Sequence, residues 1–177
     1  MQKALFLDRD GIINIDYGYV SKIEKFTFNE GIFDLLRFFI KEGYLLFIVT
    51  NQSGIGRGYY SEEDFNTLTK WMLDALKKED IHIASIQHCS HAPEENCYCR
   101  KPNRGMIEAI LSEQTLDLKE SWMIGDKQSD IDLAHNATIA HTISIGERKI
   151  HGSEFSFASI LECYHYFKKN RNKIKTS

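Results

Sequence analysis

The chain has 177 residues, 42% hydrophobic and 27% charged, with 11 glycines and 2 prolines. That length suits one ordinary domain with a core of its own, and the composition argues against disorder, a collagen-like repeat or a cysteine-stapled miniprotein. A net charge of −3 excludes the basic body of a nucleic-acid binder, and the positive run Lys168, Lys169, Arg171, Lys173 and Lys175 reads as a solvated, fraying helix end.

Residues 1–7 hold too little apolar sequence for a signal peptide before Asp8 intervenes, and the longest apolar-leaning run, residues 43–49, is strand-sized. The expectation is a cytoplasmic monomer that acts on a small molecule, with neither nucleic acid nor membrane as partner.

Residues 3–7 (KALFL) make the first predicted strand, followed at once by Asp8-Arg9-Asp10-Gly11. Two carboxylates off the end of a buried strand can divide labour, one attacking and the other carrying a proton; the same residues also suit a plain turn. Residues 31–41 then place Ile32, Leu35, Leu36 and Phe39 on one helical face. The second strand, residues 44–49, leads into Thr50-Asn51-Gln52-Ser53-Gly54, with Gly56, Arg57 and Gly58 beyond. This is either a cradle for phosphate or simply a polar loop. The helix over residues 61–78 starts with Ser61 and Asp64 at capping-box spacing.

The third strand, residues 83–87, runs into Cys89, His91, Cys97 and Cys99, spaced C-x-H-x5-C-x-C. Three cysteines and a histidine within eleven residues, in a chain with 4 cysteines, supply the closed ligand set of a structural zinc. Such a zinc-binding loop at 89–99 would pin Arg100 and Lys101. After a helix at 104–113, the fourth strand (121–124) ends in Gly125-Asp126-Lys127, with Asp130 on the next helix, 128–136. Acids there suit a hard cation such as magnesium, or the dipole of a helix start. A fifth strand at 141–145, a loop at 146–155 and a helix at about 159–169 complete the pattern. Strands alternating with helices give βαβ units, a parallel sheet covered on both faces, and ligands beyond the strands' carboxyl ends.

Taken together, Asp8-x-Asp10-Gly11, Thr50, Lys101 and Gly125-Asp126-x3-Asp130 resemble the ordered motifs of the haloacid dehalogenase superfamily of phosphatases. More narrowly, Gly18-Tyr19-Val20, the run Thr50–Ile55, the Cys/His loop and Cys99-Arg100-Lys101-Pro102 are similar to the heptose bisphosphate 7-phosphatase family, whose zinc loop the histidinol-phosphatase domains share. The resemblance implies an α/β Rossmann-like three-layer sandwich with a mostly parallel sheet and no cap domain, one domain over residues 1–177. It implies a nucleophile at Asp8, an acid–base at Asp10, and phosphoryl contacts from Thr50 and Lys101. Magnesium would be held by Asp8, the Asp10 main-chain carbonyl, Asp126 and waters, with Asp130 bracing Lys101 or those waters. Substrate would meet Asp16, Tyr17, Gly18, Tyr19, Thr50, Asn51, Gln52, Ser53, Arg100, Lys101 and Lys127.

A sugar bisphosphate is then the expected substrate, with histidinol phosphate the enzymatic alternative and a non-catalytic zinc-stabilised module the third. Two positions depart from the family pattern: Ile12 replaces a threonine, and Gly56 stands where alanine is expected, a change that should loosen its loop. His88 is an alternative zinc ligand, the histidines at 82, 135, 141, 151 and 165 are structural or superficial, and Cys163 is a packed hydrophobe.

Overall fold

The computed structural model describes residues 1–174. Six strands form one sheet: β1 (Lys3–Leu7), β2 (Tyr44–Asn51), β3 (Ile83–Cys89), β4 (Trp122–Gly125), β5 (His141–Ile145) and β6 (Phe155–Phe157). They lie in the order β3-β2-β1-β4-β5-β6 and every pair is parallel. The helices are α1 (Ile32–Lys41), α2 (Ser53–Gly56), α3 (Glu62–Lys78), α4 (Gly105–Glu113), α5 (Gln128–Asn136) and α6 (Ile160–Lys169). Among the described residues no helix is long and apolar enough to cross a membrane.

Strand side chains alternate between faces, and here both faces are core. Leu5 and Leu7 of β1, Leu46 and Ile48 of β2, and Trp122 and Ile124 of β4 join α1, α3 and α6 in one cluster. Ala4, Phe6, Phe47, Val49 and Met123 join α4 and α5 in the other. Near-continuous apolar runs are what a sheet buried on both sides needs, and each fully buried Leu, Ile or Phe contributes about 1.5–3 kcal/mol. Helix α1 buries Ile32, Leu35, Leu36 and Phe39, the face its spacing predicts, together with Phe38. Ser61 caps α3: its hydroxyl accepts the Asp64 N–H (3.1 Å) while Asp64 Oδ2 accepts the Ser61 N–H (2.8 Å). Cys163 is fully buried among apolar neighbours.

Three expectations need correction. The loop expected at 146–155 ends in a sixth strand, whose Phe155 and Phe157 pair with β5 and pack on Phe167 of α6. Three residues carry too little periodicity to be read as a strand. The short helix α2 also lay inside what reads as loop. The basic C-terminal run is exposed at Lys168, Lys169, Arg171 and Lys173, as expected, but it is anchored as far as residue 174: Ile174 is buried, its carbonyl accepts the Tyr44 hydroxyl (2.9 Å), and Arg171 pairs with Glu42. One apolar residue in a basic stretch was enough to anchor it. Lys175 lies outside the described residues.

Candidate active site

Strand β1 lies between β2 and β4, where connections from the sheet's two halves part and leave a crevice at the strands' carboxyl ends. The residues after each of these strands meet there. The Asp8 amide still bonds to Ile124 O (3.1 Å), so its carboxylate is fixed by the last rung of the sheet. Its Oδ1 accepts the Arg9 amide (2.8 Å) and pairs with the Lys101 ammonium (2.9 Å).

Lys101 arrives from the loop after β3, clamped by Asn51, whose Oδ1 accepts its amide (3.0 Å) and whose Nδ2 donates to its carbonyl (3.3 Å). The ammonium reaches Asp130 Oδ1 (2.7 Å) and Val49 O (2.8 Å). Burial alone would lower the Lys101 pKa, but Asp130 and Asp8 reverse it and the net shift is upward. Asp130, fully buried, accepts the amides of Asp126 (3.1 Å) and Lys127 (3.0 Å) with its other oxygen, and so caps α5 while bracing Lys101.

Asp126 stands next to this pair. Burial, then the charge of Asp8, push its carboxyl up to about 7. Its Oδ2 accepts Arg148 Nη1 (2.7 Å), whereas Oδ1 is buried with no hydrogen-bond partner. Asp8, Asp126 and Asp130 each bring a carboxylate oxygen within 4.8 Å of the others. Gly11, at φ +89°, makes this approach possible, since a Cβ there would lie 2.4 Å from Asp126 Oδ2. A buried carboxylate oxygen without a hydrogen-bond partner, beside two more acids and with burial and neighbouring charge raising the pKa of Asp126 and Asp130, fits a divalent cation with oxygen ligands.

Asp10 lines a cavity of about 260 Å3 with Asp16, Gly18, Tyr19, Asn51, Gln52, Ser53, Tyr60, Arg100, Lys127 and Ser129. Most of the residues expected to meet substrate are therefore together. Arg100 holds a buried guanidinium nitrogen with no partner, and Lys127 reaches towards Asp16 (3.5 Å). Tyr17 instead lines the neighbouring concavity with Val20, Glu24, Lys25 and Thr27. Thr50 is fully buried, its hydroxyl accepting the Gln52 amide (2.9 Å). As a backbone cradle the loop after Thr50 is largely spent: the amides of Gln52, Ile55, Gly56, Arg57 and Gly58 all donate within the protein. Arg148 was missed by sequence reasoning, although it too lies just past a strand, β5, as the other site residues lie just past theirs.

The four Cys/His side chains also converge. Cys89 Sγ lies 2.9 Å from Cys99 Sγ and 3.4 Å from Cys97 Sγ, and His91 Nδ1 is 3.2 Å from Cys99 Sγ. All three thiols are free, and the set is compatible with zinc. His88 is turned away to Glu62 (2.8 Å), stacked on Phe65. Gly56 overturns its expectation: it packs against this loop, where a Cβ would lie 2.7 Å from Ser90 O and 2.8 Å from Ala92 N. Rather than loosening the loop, the glycine lets two loops touch.

The HAD-hydrolase-like family model matches residues 98–145. A D-glycero-alpha-D-manno-heptose-1,7-bisphosphate 7-phosphatase of Campylobacter jejuni is 51% identical over 168 residues, covering 94% of this chain and 96% of its own. A D-glycero-beta-D-manno-heptose-1,7-bisphosphate 7-phosphatase of Helicobacter pylori is 51% identical over 142 residues, 80% of this chain and 82% of its own. The fold matches the crystal structure of a D,D-heptose 1,7-bisphosphate phosphatase from B. bronchiseptica complexed with magnesium and phosphate. The TM-score is 0.81 at 23% identity, over 96% of this chain and 99% of that one.

Proposed function

The chain belongs to the heptose-1,7-bisphosphate 7-phosphatases of the HAD-like hydrolases, a family of phosphoric monoester hydrolases, and on that premise we propose that it removes the 7-phosphate of D-glycero-D-manno-heptose 1,7-bisphosphate through an aspartyl-phosphate, with magnesium, in the supply of heptose for bacterial surface glycans. The observation that carries this reading is the Lys101 ammonium shared between Asp8 and Asp130, with an Asp126 oxygen that accepts no hydrogen bond in the same acid cluster.

The donors on Asp8 both go to Oδ1, which leaves Oδ2 to attack phosphorus. As that bond forms, the bond from phosphorus to the sugar oxygen breaks, and Asp10 gives the departing oxygen its proton. In the second half Asp10 takes a proton from water, which attacks the same phosphorus, frees inorganic phosphate and restores the Asp8 carboxylate. Thr50 and Lys101 hold the non-bridging oxygens, Lys101 offsetting the charge that gathers beside the acids. Asp8, the Asp10 main-chain carbonyl and Asp126 would hold magnesium, which when bound supplies the positive charge that lets a phosphate dianion approach carboxylates. Cys89, His91, Cys97 and Cys99 would hold a structural zinc that fixes the loop carrying Arg100 and Lys101.

Arg100, next to the transfer lysine and with a nitrogen free, is the group suited to the remote 1-phosphate. Phosphate release from both heptose bisphosphate anomers and from histidinol phosphate tests the assignment. Both anomers belong in the assay because the Campylobacter and Helicobacter relatives are named for opposite ones at the same identity. The expected preference for a heptose bisphosphate is at least about 100-fold in kcat/KM, roughly 2.7 kcal/mol. Comparable values for histidinol phosphate would overturn the substrate.

A further inference from the structure

Asp10 is held on both carboxylate oxygens. Arg9 Nη2 lies 2.8 Å from Oδ1 and 3.0 Å from Oδ2, and Asn14 Nδ2 lies 2.9 Å from Oδ1. These come from Asp10's own loop. The remaining donor, Gln52 Nε2 at 2.9 Å from Oδ2, comes from the opposite wall, just beyond β2.

Gln52 has little left to offer a ligand. It is 2% exposed, its amide nitrogen also donates to Thr50 Oγ1 (2.9 Å), and its oxygen accepts the Tyr60 hydroxyl (2.6 Å). The amide's orientation is set by its neighbours. In the ionised state from which it takes a proton from water, Asp10 only accepts hydrogen bonds, so the NH2 end then faces Asp10 and the oxygen faces Tyr60. Tyr60 keeps its proton for that bond, because burial pushes its pKa up to about 12. Gly54 makes room for the arrangement: a Cβ there would lie 2.2 Å from Tyr60 Cε1.

We propose that Gln52 is a positioning residue for the leaving-group acid: its amide, oriented by Tyr60, holds Asp10 and the Thr50 hydroxyl in register, so that the proton donor and a phosphoryl contact are set relative to each other. This rests on the proposed function and assigns Gln52 a task different from the substrate contact expected of it. The step it serves is proton transfer from the Asp10 carboxyl to the sugar oxygen while the phosphorus–oxygen bond to the sugar breaks and the bond to Asp8 forms. An alkoxide needs that proton and a nitrophenolate does not, so disturbing Asp10 should cost alkyl esters more than aryl esters.

The test compares kcat/KM, which reports phosphoryl transfer to Asp8 and not the water step that Asp10 also serves, for heptose 1,7-bisphosphate, fructose 6-phosphate and p-nitrophenyl phosphate in wild type, Asp10→Asn, Gln52→Met and Tyr60→Phe. Asp10→Asn should lose at least about 100-fold on the alkyl esters and far less on the aryl ester. Gln52→Met should show the same selectivity at about tenfold or more, with KM nearly unchanged, a part of the acid–base contribution. Tyr60→Phe removes one hydroxyl and should show it at about threefold, a smaller part of the same effect; should Gln52→Met fail to fold, this variant decides. Equal losses on all three esters, or a rise in KM with kcat kept, would overturn the assignment. If Asp10→Asn itself is unselective, the acid and its positioning residue fall together. A wild type that turns over fructose 6-phosphate as well as the heptose ester would refute the substrate alone, since the alkyl–aryl contrast still judges Gln52.

Discussion

The two side-chain clusters that could hold a metal share one domain, yet they are built on opposite plans. The Cys/His set gathers all its donors from residues 89–99, and its donor atoms mainly meet one another. The acid set draws Asp8, Asp126 and Asp130 from the ends of two strands and the helix after the second, and its oxygens are shared with Lys101, Arg148 and backbone amides, with Asp8 Oδ2 and Asp126 Oδ1 left over. A set that satisfies itself can fasten a loop but has nothing to give a substrate. A set left incomplete at the carboxyl edge of a rigid sheet has a vacant valence to use.

That contrast predicts which failures affect chemistry and which affect the fold. The largest effect belongs to Asp8→Asn, expected to cut phosphate release by at least about 1,000-fold while melting temperature and zinc content stay as in wild type; turnover within tenfold of wild type would remove the covalent step. Cys99→Ser should act the other way round, lowering stability by about 3 kcal/mol, ~10 °C in melting temperature, with activity reduced only because Arg100 and Lys101 shift. A metal-free preparation that melts and turns over unchanged would show that the cluster fastens nothing. Gly56→Ala sharpens the comparison further, since its added methyl strikes the Cys/His loop and no acid of the Asp8 cluster. A loss of about 2 kcal/mol, ~5 °C, with kcat within about threefold is expected; unchanged melting would mean that the two loops part without cost.

Legibility in the sequence divides along the same line. The Cys/His cluster could be read from the residues alone, because the whole ligand set is local. The acid cluster was readable only in pieces, each of which also suited a turn or a helix start, and it took the family resemblance to join Asp8 to Lys101 and Asp126 across the sheet. What stayed hidden was contact without periodicity: β6 in three residues, Ile174 within a basic run, the Arg148 side chain folding back on Asp126. Gly56 was misjudged for a related reason. Reading it as loose considered only its own backbone, whereas the neighbour that requires it, Ser90, is distant in sequence.

The setting of Lys101 also bears on its reactivity. Acylating reagents need an amine that is both neutral and reachable. Lys101 is 4% exposed, surrounded by Asp8, Asp130 and Val49 O, and kept protonated by its acidic neighbours. Lys127 is also held protonated, by Asp8, Asp126 and Asp16, but it lines the open cavity and leaves 43% of its side chain in solvent, so reachability separates the two. Treated with an amine-directed label, the protein should therefore lose the charge of Lys127 while Lys101 stays unmodified, and two lysines of one site would fall at opposite ends of an acylation map.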